Sequence, residues 1–244
     1  MQIKEGTTIK LSERIVIALD VDTEYQVERL VEELGNHVGM FKIGLQLIHN
    51  LGPSVIDLVH QRGGKVFADF KFHDIPNTVA QASRAVARKG VAMFTLHASG
   101  GKEMLRAGAE AAAAEAEKTG IPAPAVLGVT VLTSWSQTAF SEEMGIIKPI
   151  SQVVKEWSQL AQVAGLHGVV ASPMEIKEVR SSCGEDFLVV TPGVRPPGAY
   201  QDDQQRVMTP AEAISAGANF LVIGRPVTAA PDPAAALTSI LATL

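Results

Sequence analysis

The sequence predicts an α/β protein folded as a single (β/α)8 barrel (a TIM barrel), and three observations lead to that fold class. Short apolar runs alternate with longer helical stretches from end to end of the 244-residue chain. Eight strand–helix pairs can be counted, which is the number that closes a barrel in a chain of this length. The G-x-G-x-x-G fingerprint of the competing doubly wound sheet does not follow the first strand, where Leu19-Asp20-Val21-Asp22 stands instead.

The strands and helices can be placed in order along the chain. The strand candidates are the apolar runs at residues 15–19, 40–43, 65–70, 92–96, 125–131, 168–171, 187–190 and 220–223. The helical stretches that follow them cover residues 25–34, 54–61, 78–89, 102–118, 150–164, 174–181, 209–216 and 233–242. No linker, charge run or low-complexity break divides the chain, so one domain spanning residues 1–244 is expected.

Two connections are longer than the topology requires, at residues 133–149 and 192–208. The second is rich in glycine, proline, aspartate and glutamine, which is typical of a loop that passes over a site. A mobile lid and a static surface loop are the two interpretations of this segment.

Bulk composition limits the partners and the compartment. The net charge is −5 and no basic cluster occurs, which argues against a nucleic-acid surface. Cys183 is the only cysteine, so no intrachain disulfide can form, as suits a reducing compartment. The N-terminus has no apolar signal core and no apolar run reaches membrane-spanning length. A cytoplasmic protein with no nucleic-acid or membrane partner is therefore expected.

Polar residues collect where the predicted strands end, which in a barrel is the rim that carries the active site. These residues are Asp20, Lys42, Asp69, Lys71, His97, Thr133, Arg195 and the pair Gly224-Arg225. The strand starts contain little that is comparable. His97 is interpreted as a hydrogen-bonded structural histidine and is left out of the candidate catalytic set.

The third strand and the helix after it hold the densest set of charges. With the two-residue period of a strand, Asp69 and Lys71 point to one face and Phe70 and Phe72 to the other. Such a charged pair on the inward face of an apolar strand is costly unless it is paired. Asp74 or Ile75 is expected at the cap of the next helix, with proline in its first turn. Capping alone could explain Asp74, and it does not exclude catalysis.

The end of the last strand has the composition of a phosphate site. Gly224 allows close approach of the backbone, and Arg225 can form a bidentate pair with phosphate. Barrels often bind phosphate after their seventh and eighth strands. Gln204 in the long second loop could reach the same phosphate, with Arg195 near the start of that loop.

Taken together, these residues resemble the orotidine 5′-phosphate decarboxylase family. The stretch from Asp69 to Thr78 is similar to its Asp-x-Lys-x-x-Asp signature. Five further motifs occur in the family's order: Ala18-Leu19-Asp20, Phe41-Lys42-Ile43-Gly44, Val131-Leu132-Thr133-Ser134, Thr191-Pro192-Gly193-Val194-Arg195-Pro196 and Val222-Ile223-Gly224-Arg225-Pro226. The resemblance covers nearly the whole chain.

The resemblance implies decarboxylation of orotidine 5′-phosphate to uridine 5′-phosphate, with roles for particular residues. Lys71 would protonate the ring carbon that loses carbon dioxide, and Asp69 would sit beside the substrate carboxylate. Lys42 and Asp20 would bind the ribose hydroxyls and hold the charges in place. Thr133, or alternatively Ser134, would contact the pyrimidine.

The resemblance also implies a shared site in a homodimer. Asp74 and Thr78 would reach into the neighbouring subunit's site, and Ile75 between them belongs to the same substrate-binding set. Gln204, Gly224 and Arg225 would contact the phosphate, with Arg195 close by in the same substrate-binding set. The choice of Gln204 over Gln201 or Gln205 is an alignment choice, supported by the Arg-Val-Met-Thr-Pro that follows.

We expect no cofactor and no metal ion, because no Schiff-base, thiamine or flavin arrangement occurs in the sequence. An alternating array of Lys42, Asp69, Lys71 and Asp74 would keep both lysines protonated. Two alternatives remain open from the sequence. One is a Mg²⁺-dependent sugar-phosphate decarboxylase or synthase of the same barrel superfamily, although Lys42 would repel the ion. The other is a non-catalytic barrel that binds a phosphate ligand.

Overall fold

Eight parallel strands close into a barrel in the computed structural model, which describes residues 10–194 and 208–244. Neighbours in sequence pair with each other, and the last strand pairs back with the first. The strands are β1 (Ile15–Ala18), β2 (Met40–Ile43), β3 (Val66–Phe72), β4 (Met93–His97), β5 (Ala125–Val129), β6 (Gly168–Val170), β7 (Leu188–Thr191) and β8 (Phe220–Ile223). The predicted fold class is confirmed.

Helices cover the outside of the barrel. In the described part of the chain the α-helices are α1 (Glu24–Leu34), α2 (Leu45–Leu51), α3 (Ser54–Gln61), α4 (Pro76–Arg88), α5 (Gly101–Thr119), α6 (Gln137–Met144), α7 (Ile150–Val163), α8 (Ile176–Cys183), α9 (Pro210–Ser215), α10 (Arg225–Thr228) and α11 (Pro233–Leu241). Short 3-10 turns lie at Leu11–Arg14, Gly35–His37, Ala98–Gly100 and Pro173–Glu175. Among the described helices, none is both long and apolar enough to cross a membrane.

The first of the two long connections contains a helix that the sequence analysis did not predict. Ser136 caps α6 by accepting the backbone N–H of Ala139, and Phe140 is buried against Trp135 in an edge-on ring contact. A cap and one buried aromatic are enough to hold a two-turn helix on a barrel surface. Most of the second long connection, residues 195–207, for which a lid and a static loop are the two interpretations, lies outside the described residues.

The barrel interior is packed with side chains and is not a pore. Alternate residues of the strands point inward and form one apolar cluster of Val16, Ala18, Met40, Phe67, Met93, Ala125, Leu127, Leu188, Val190, Phe220 and Val222. The other face of each strand packs against the helices in a larger cluster. The next inward-facing side chains along each strand therefore lie at the carboxyl rim, directly above this apolar cluster.

Strand β3 is irregular where it approaches that rim. Ala68 is paired with Phe94 of β4, whereas Phe72 is paired with Leu96, so β3 carries extra residues between these two pairs. The strand continues through this irregularity beyond its predicted end. Helix α4 begins at Pro76, two residues before the helical stretch placed at residues 78–89, with Ile75 at the cap position and no side-chain capping bond. The predicted cap at Asp74 or Ile75, with proline in the first turn, is confirmed. A proline in the first turn needs no N–H partner.

Candidate active site

Four side chains of alternating charge lie together on the carboxyl rim. Lys42 Nζ is 3.3 Å from Asp20 Oδ1 and 3.9 Å from Asp69 Oδ2. Lys71 Nζ is 2.7 Å from the same Asp69 Oδ2. Each ammonium therefore has a carboxylate neighbour, and the Asp69 carboxylate stands between two ammonium groups. We call Asp20, Lys42, Asp69 and Lys71 the rim array.

The rim array is more buried at its centre than at its end. The side chains of Lys42 and Asp69 are 12% and 13% exposed, while that of Asp20 is 45% exposed. Two opposite charges about 4 Å apart in a partly screened environment gain about 4 kcal/mol, but removing each ion from water costs several kcal/mol. The two amounts nearly cancel, so the array is not explained by stability. Clustered charges of this kind are typical of functional sites.

Lys71 adopts a strained backbone conformation. Its φ of 54° makes it the only residue other than glycine with a positive φ in the described ranges. The left-handed region costs a residue with a side chain on the order of 1–3 kcal/mol, and such strain is concentrated at functional sites. Irregular strands re-aim side chains. Here the irregularity accompanies the 2.7 Å contact between Lys71 and Asp69.

Thr95 supports both charged residues of β3 from the neighbouring strand. Its hydroxyl donates to Asp69 Oδ1 at 3.0 Å and accepts the backbone N–H of Lys71 at 2.9 Å. Thr95 is not among the site residues predicted from the sequence. The one available signal was a hydroxyl in the middle of the otherwise apolar run Met93–Leu96, and threonine is common in strands.

Asp74, Ile75 and Thr78 lie outside the rim array of their own chain. Asp74 is exposed, and its Oδ1 accepts the backbone N–H of Ile75 at 2.6 Å. Ile75 is 67% exposed, and Thr78 is exposed in the first turn of α4. Among the described ion pairs, the alternation ends at Asp20 and does not include Asp74. The three residues instead form an exposed edge between β3 and α4.

The end of β8 closes the rim next to Asp20. A Cβ added at Gly224 would lie 3.4 Å from Asp20 Oδ2 and 3.5 Å from the Cβ of Ala18. Both distances are ordinary van der Waals contacts, so the backbone of Gly224 lies directly beside the Asp20 carboxylate. Arg225 is exposed at the start of α10.

The other predicted site residues are in connections. Thr133 is half-buried and Ser134 is exposed, both between β5 and α6. Arg195 and Gln204 lie outside the described residues.

His97 ends β4 beside the array. Its ring centroid is 5.4 Å from that of His73, an arrangement that the sequence did not predict. Burial lowers the pKa of His97 below its ordinary value of 6.5, and the nearby His73 and Lys71 lower it further. The ring is therefore neutral near pH 7 and adds no positive charge beside Lys71.

Fold and site together define a (β/α)8-barrel enzyme whose carboxyl rim carries a preorganised lysine–aspartate array. The family model described as "Orotidine 5'-phosphate decarboxylase / HUMPS family" matches residues 13–240. The chain belongs to this family. The predicted resemblance is confirmed, and with it the prediction of an enzyme of the carboxy-lyase class.

Similar proteins cover nearly the whole chain. Orotidine 5′-phosphate decarboxylase of Moorella thermoacetica is 51% identical over 242 residues, 99% of this chain and 96% of the relative. The enzyme of the same name from Syntrophomonas wolfei is 46% identical over 97% of this chain and 99% of its own length. The crystal structure of orotidine 5′-phosphate decarboxylase from Lactobacillus acidophilus superposes with a TM-score of 0.80 at 37% identity, covering 93% of this chain and 96% of that one.

Proposed function

We propose that this chain decarboxylates orotidine 5′-phosphate to uridine 5′-phosphate and carbon dioxide, in pyrimidine nucleotide synthesis. The rim array is the observation that carries the proposal. It sets two lysines and two aspartates on the active rim of a barrel whose relatives bear this enzyme's name. We propose further that residues 1–244 form one decarboxylase domain and that the enzyme acts in the cytoplasm, which its single cysteine suits.

Lys71 is the proposed proton donor. The bond between C6 of the pyrimidine and the carboxylate carbon breaks, carbon dioxide leaves, and the electron pair stays on C6. That pair lies outside the ring π-system and cannot delocalise into it. A fixed ammonium beside the developing charge stabilises it in the way an oxyanion hole does. The same ammonium then transfers its proton to C6.

Asp69 has two proposed effects. Its contact of 2.7 Å with the Lys71 ammonium holds the proton donor in place before the substrate arrives. In the complex its carboxylate would lie beside that of the substrate, and relief of their repulsion would accompany the loss of carbon dioxide. Lys42 and Asp20, joined at 3.3 Å, are the proposed ligands of the ribose hydroxyls.

The phosphate is the proposed remote handle of the substrate. We assign its contacts to Gly224 and Arg225 at the end of β8, together with Arg195 and Gln204. An arginine fork matches phosphate oxygens bidentately. Binding energy from a group remote from the reacting carbon can support the rate of the chemical step as well as affinity. Thr133, or Ser134 beside it, is the proposed contact of the pyrimidine edge.

The active unit is proposed to be a homodimer. Asp74, Ile75 and Thr78 form an exposed edge next to the rim array but do not join it in their own chain. A large apolar side chain that is 67% exposed beside such a site is suited to a protein interface. In this arrangement, Asp74 supplies the second acid of the partner's array, and Thr78 contacts the partner's substrate.

The reaction is proposed to need neither a cofactor nor a metal ion. In the Mg²⁺-dependent alternative, an acid at the end of the second strand helps to hold the ion. Here Lys42 occupies that position, with its ammonium 3.3 Å from Asp20 and 3.9 Å from Asp69. A positive charge at this place repels a divalent cation.

The test is loss of the orotate absorbance on mixing the protein with orotidine 5′-phosphate in the presence of a chelator. Undiminished turnover is expected. Turnover that the chelator abolishes and Mg²⁺ restores would indicate the metal-dependent alternative. Binding of the nucleotide without turnover would indicate a non-catalytic barrel and would reject the proposal.

A further inference from the structure

Thr95 is fully buried in β4, and its single hydroxyl joins the two charged residues of β3. It donates to Asp69 Oδ1 at 3.0 Å and accepts the backbone N–H of Lys71 at 2.9 Å. A threonine hydroxyl has one proton and two acceptor lone pairs, so it can make both bonds at once. Its one proton is donated to the Asp69 carboxylate.

The irregularity of β3 explains why a side chain accepts this N–H. Ala68 pairs with Phe94 and Phe72 pairs with Leu96, so the segment 69–71 faces Thr95 alone. A regular parallel ladder would offer the Lys71 N–H a backbone carbonyl. The Thr95 hydroxyl takes the place of that carbonyl, at the point where Lys71 has a φ of 54°.

The two oxygens of Asp69 are thereby given separate partners. Oδ1 accepts from Thr95, while Oδ2 faces Lys71 at 2.7 Å and Lys42 at 3.9 Å. A carboxylate held at one oxygen by a buried donor cannot rotate freely about its terminal bond. The orientation of Oδ2 toward the two ammonium groups is therefore fixed from β4.

We propose that Thr95 is a positioning residue for the decarboxylation, acting through Asp69 and Lys71 without touching the substrate. It fixes the Asp69 carboxylate and the strained Lys71 backbone relative to each other, so that the ammonium is in place before the substrate binds. The inference rests on the proposed function, because this alignment matters to the rate only if Lys71 donates the proton. A misplacement of about 1 Å at a reacting group can cost about 100-fold in rate.

The experiment compares Thr95→Val and Thr95→Ser with the unmodified protein, using orotidine 5′-phosphate as substrate. Valine keeps the shape and removes the hydroxyl, whereas serine keeps the hydroxyl. We expect kcat of Thr95→Val to fall between about 10- and 100-fold with KM within about 3-fold, because the ribose and phosphate contacts are untouched. Thr95→Ser should recover kcat to within about 3-fold of the unmodified protein.

Ser83→Ala is the control. Ser83 is also fully buried, in α4, and its hydroxyl has no hydrogen-bond partner within the described residues. It should keep the unmodified kcat and KM. Circular dichroism and binding of uridine 5′-phosphate show whether each variant is folded with an intact site. If Thr95→Val does not fold, Thr95→Ser and Thr95→Ala make the same comparison, since they differ by the hydroxyl alone.

Three results would overturn the positioning role. The first is unchanged kcat in Thr95→Val. The second is an equal loss of kcat in Thr95→Ser and Thr95→Val, because the hydroxyl would then be irrelevant. The third is failure of both Thr95→Val and Thr95→Ala to fold, which would make Thr95 a purely structural residue. An unmodified protein that does not turn over orotidine 5′-phosphate rejects the proposed function itself, and this inference fails with it.

Discussion

Mixing two inactive variants tests the division of the site between subunits. Asp69→Asn removes the central carboxylate of the rim array, and Asp74→Asn removes the exposed carboxylate proposed to serve the partner. Each variant alone should form a folded homodimer with two defective sites. In a hybrid dimer, both substitutions affect one site and leave the other intact.

The expected recovery follows from the placement of the two residues. Asp69 contacts Lys42 and Lys71 of its own chain, whereas Asp74 joins none of the described ion pairs of that array. After random exchange of equal amounts, about half of the dimers are hybrids, each with one intact site of two. About a quarter of the unmodified activity should therefore return.

The assay follows the orotate absorbance after the two variants have been incubated together long enough for subunits to exchange. Native mass spectrometry of differently tagged chains measures the hybrid fraction. The matched control mixes Asp69→Asn with Lys42→Ala, because these residues lie 3.9 Å apart in one chain and should serve the same site. This pair should recover nothing.

Two results contradict the shared site. One is the absence of recovery in the first mixture when hybrids are abundant. The other is equal recovery in the control mixture, which would mean that Asp69 and Lys42 serve different sites.

Four further substitutions, at three residues, test the chemistry and the scaffold. Lys71→Ala and Lys71→Gly should both fold and lose at least about 1000-fold in kcat. The free energy of unfolding in urea should be about 1 kcal/mol higher for the glycine variant than for the alanine variant, because a φ of 54° favours glycine. Burial lowers the pKa of His167 below 6.5, and its Nδ1 accepts the N–H of Val126 at 3.1 Å. The neutral ring therefore contributes stability above about pH 6.5 that is lost as the pH falls, so His167→Asn should flatten the acid-side decline of the free energy of unfolding. The Arg180 side chain is 8% exposed and donates to the Gly217 carbonyl, so Arg180→Met should cost about 3 kcal/mol of stability with kcat unchanged.

Each of these predictions has a contrary outcome. Near-normal turnover in Lys71→Ala would remove the proton donor from the proposed mechanism. An undiminished acid-side slope in His167→Asn would assign the pH dependence to other groups. Unchanged thermal and urea midpoints in Arg180→Met would mean that water satisfies the carbonyls as well as the guanidinium does.

The alternation of side chains along strands made the rim predictable. Asp20, Lys42 and Asp69 each continue an inward row of apolar residues, so their meeting follows from the strand period and the eight-strand count. The sequence pattern also located Lys71 on the same face. Residue spacing within each strand and one rule of barrel topology are enough to predict this meeting of side chains.

What the sequence could not predict depends on neighbours across the sheet. The positive φ of Lys71 arises where β3 loses register with β4, and a register shift is not written in either strand alone. The sequence signal for Thr95, a hydroxyl within an apolar run, is weak, because β-branched residues are ordinary in strands. Helices α2 and α6 each bury a single residue, Leu47 and Phe140, so no apolar period marks them in the sequence.

The packed barrel interior has a consequence for the order of events in a turnover. Fully or almost fully buried side chains such as Val16, Phe67 and Met93 fill the barrel beneath the array, so among the described residues Lys71 is accessible from the rim side. In the proposed reaction, carbon dioxide, the nucleotide product and the proton that reloads Lys71 must all pass through the same opening at the rim. Reprotonation of Lys71 and release of the products then use the same route. Any group that covers the opening at the rim controls the rate of both steps.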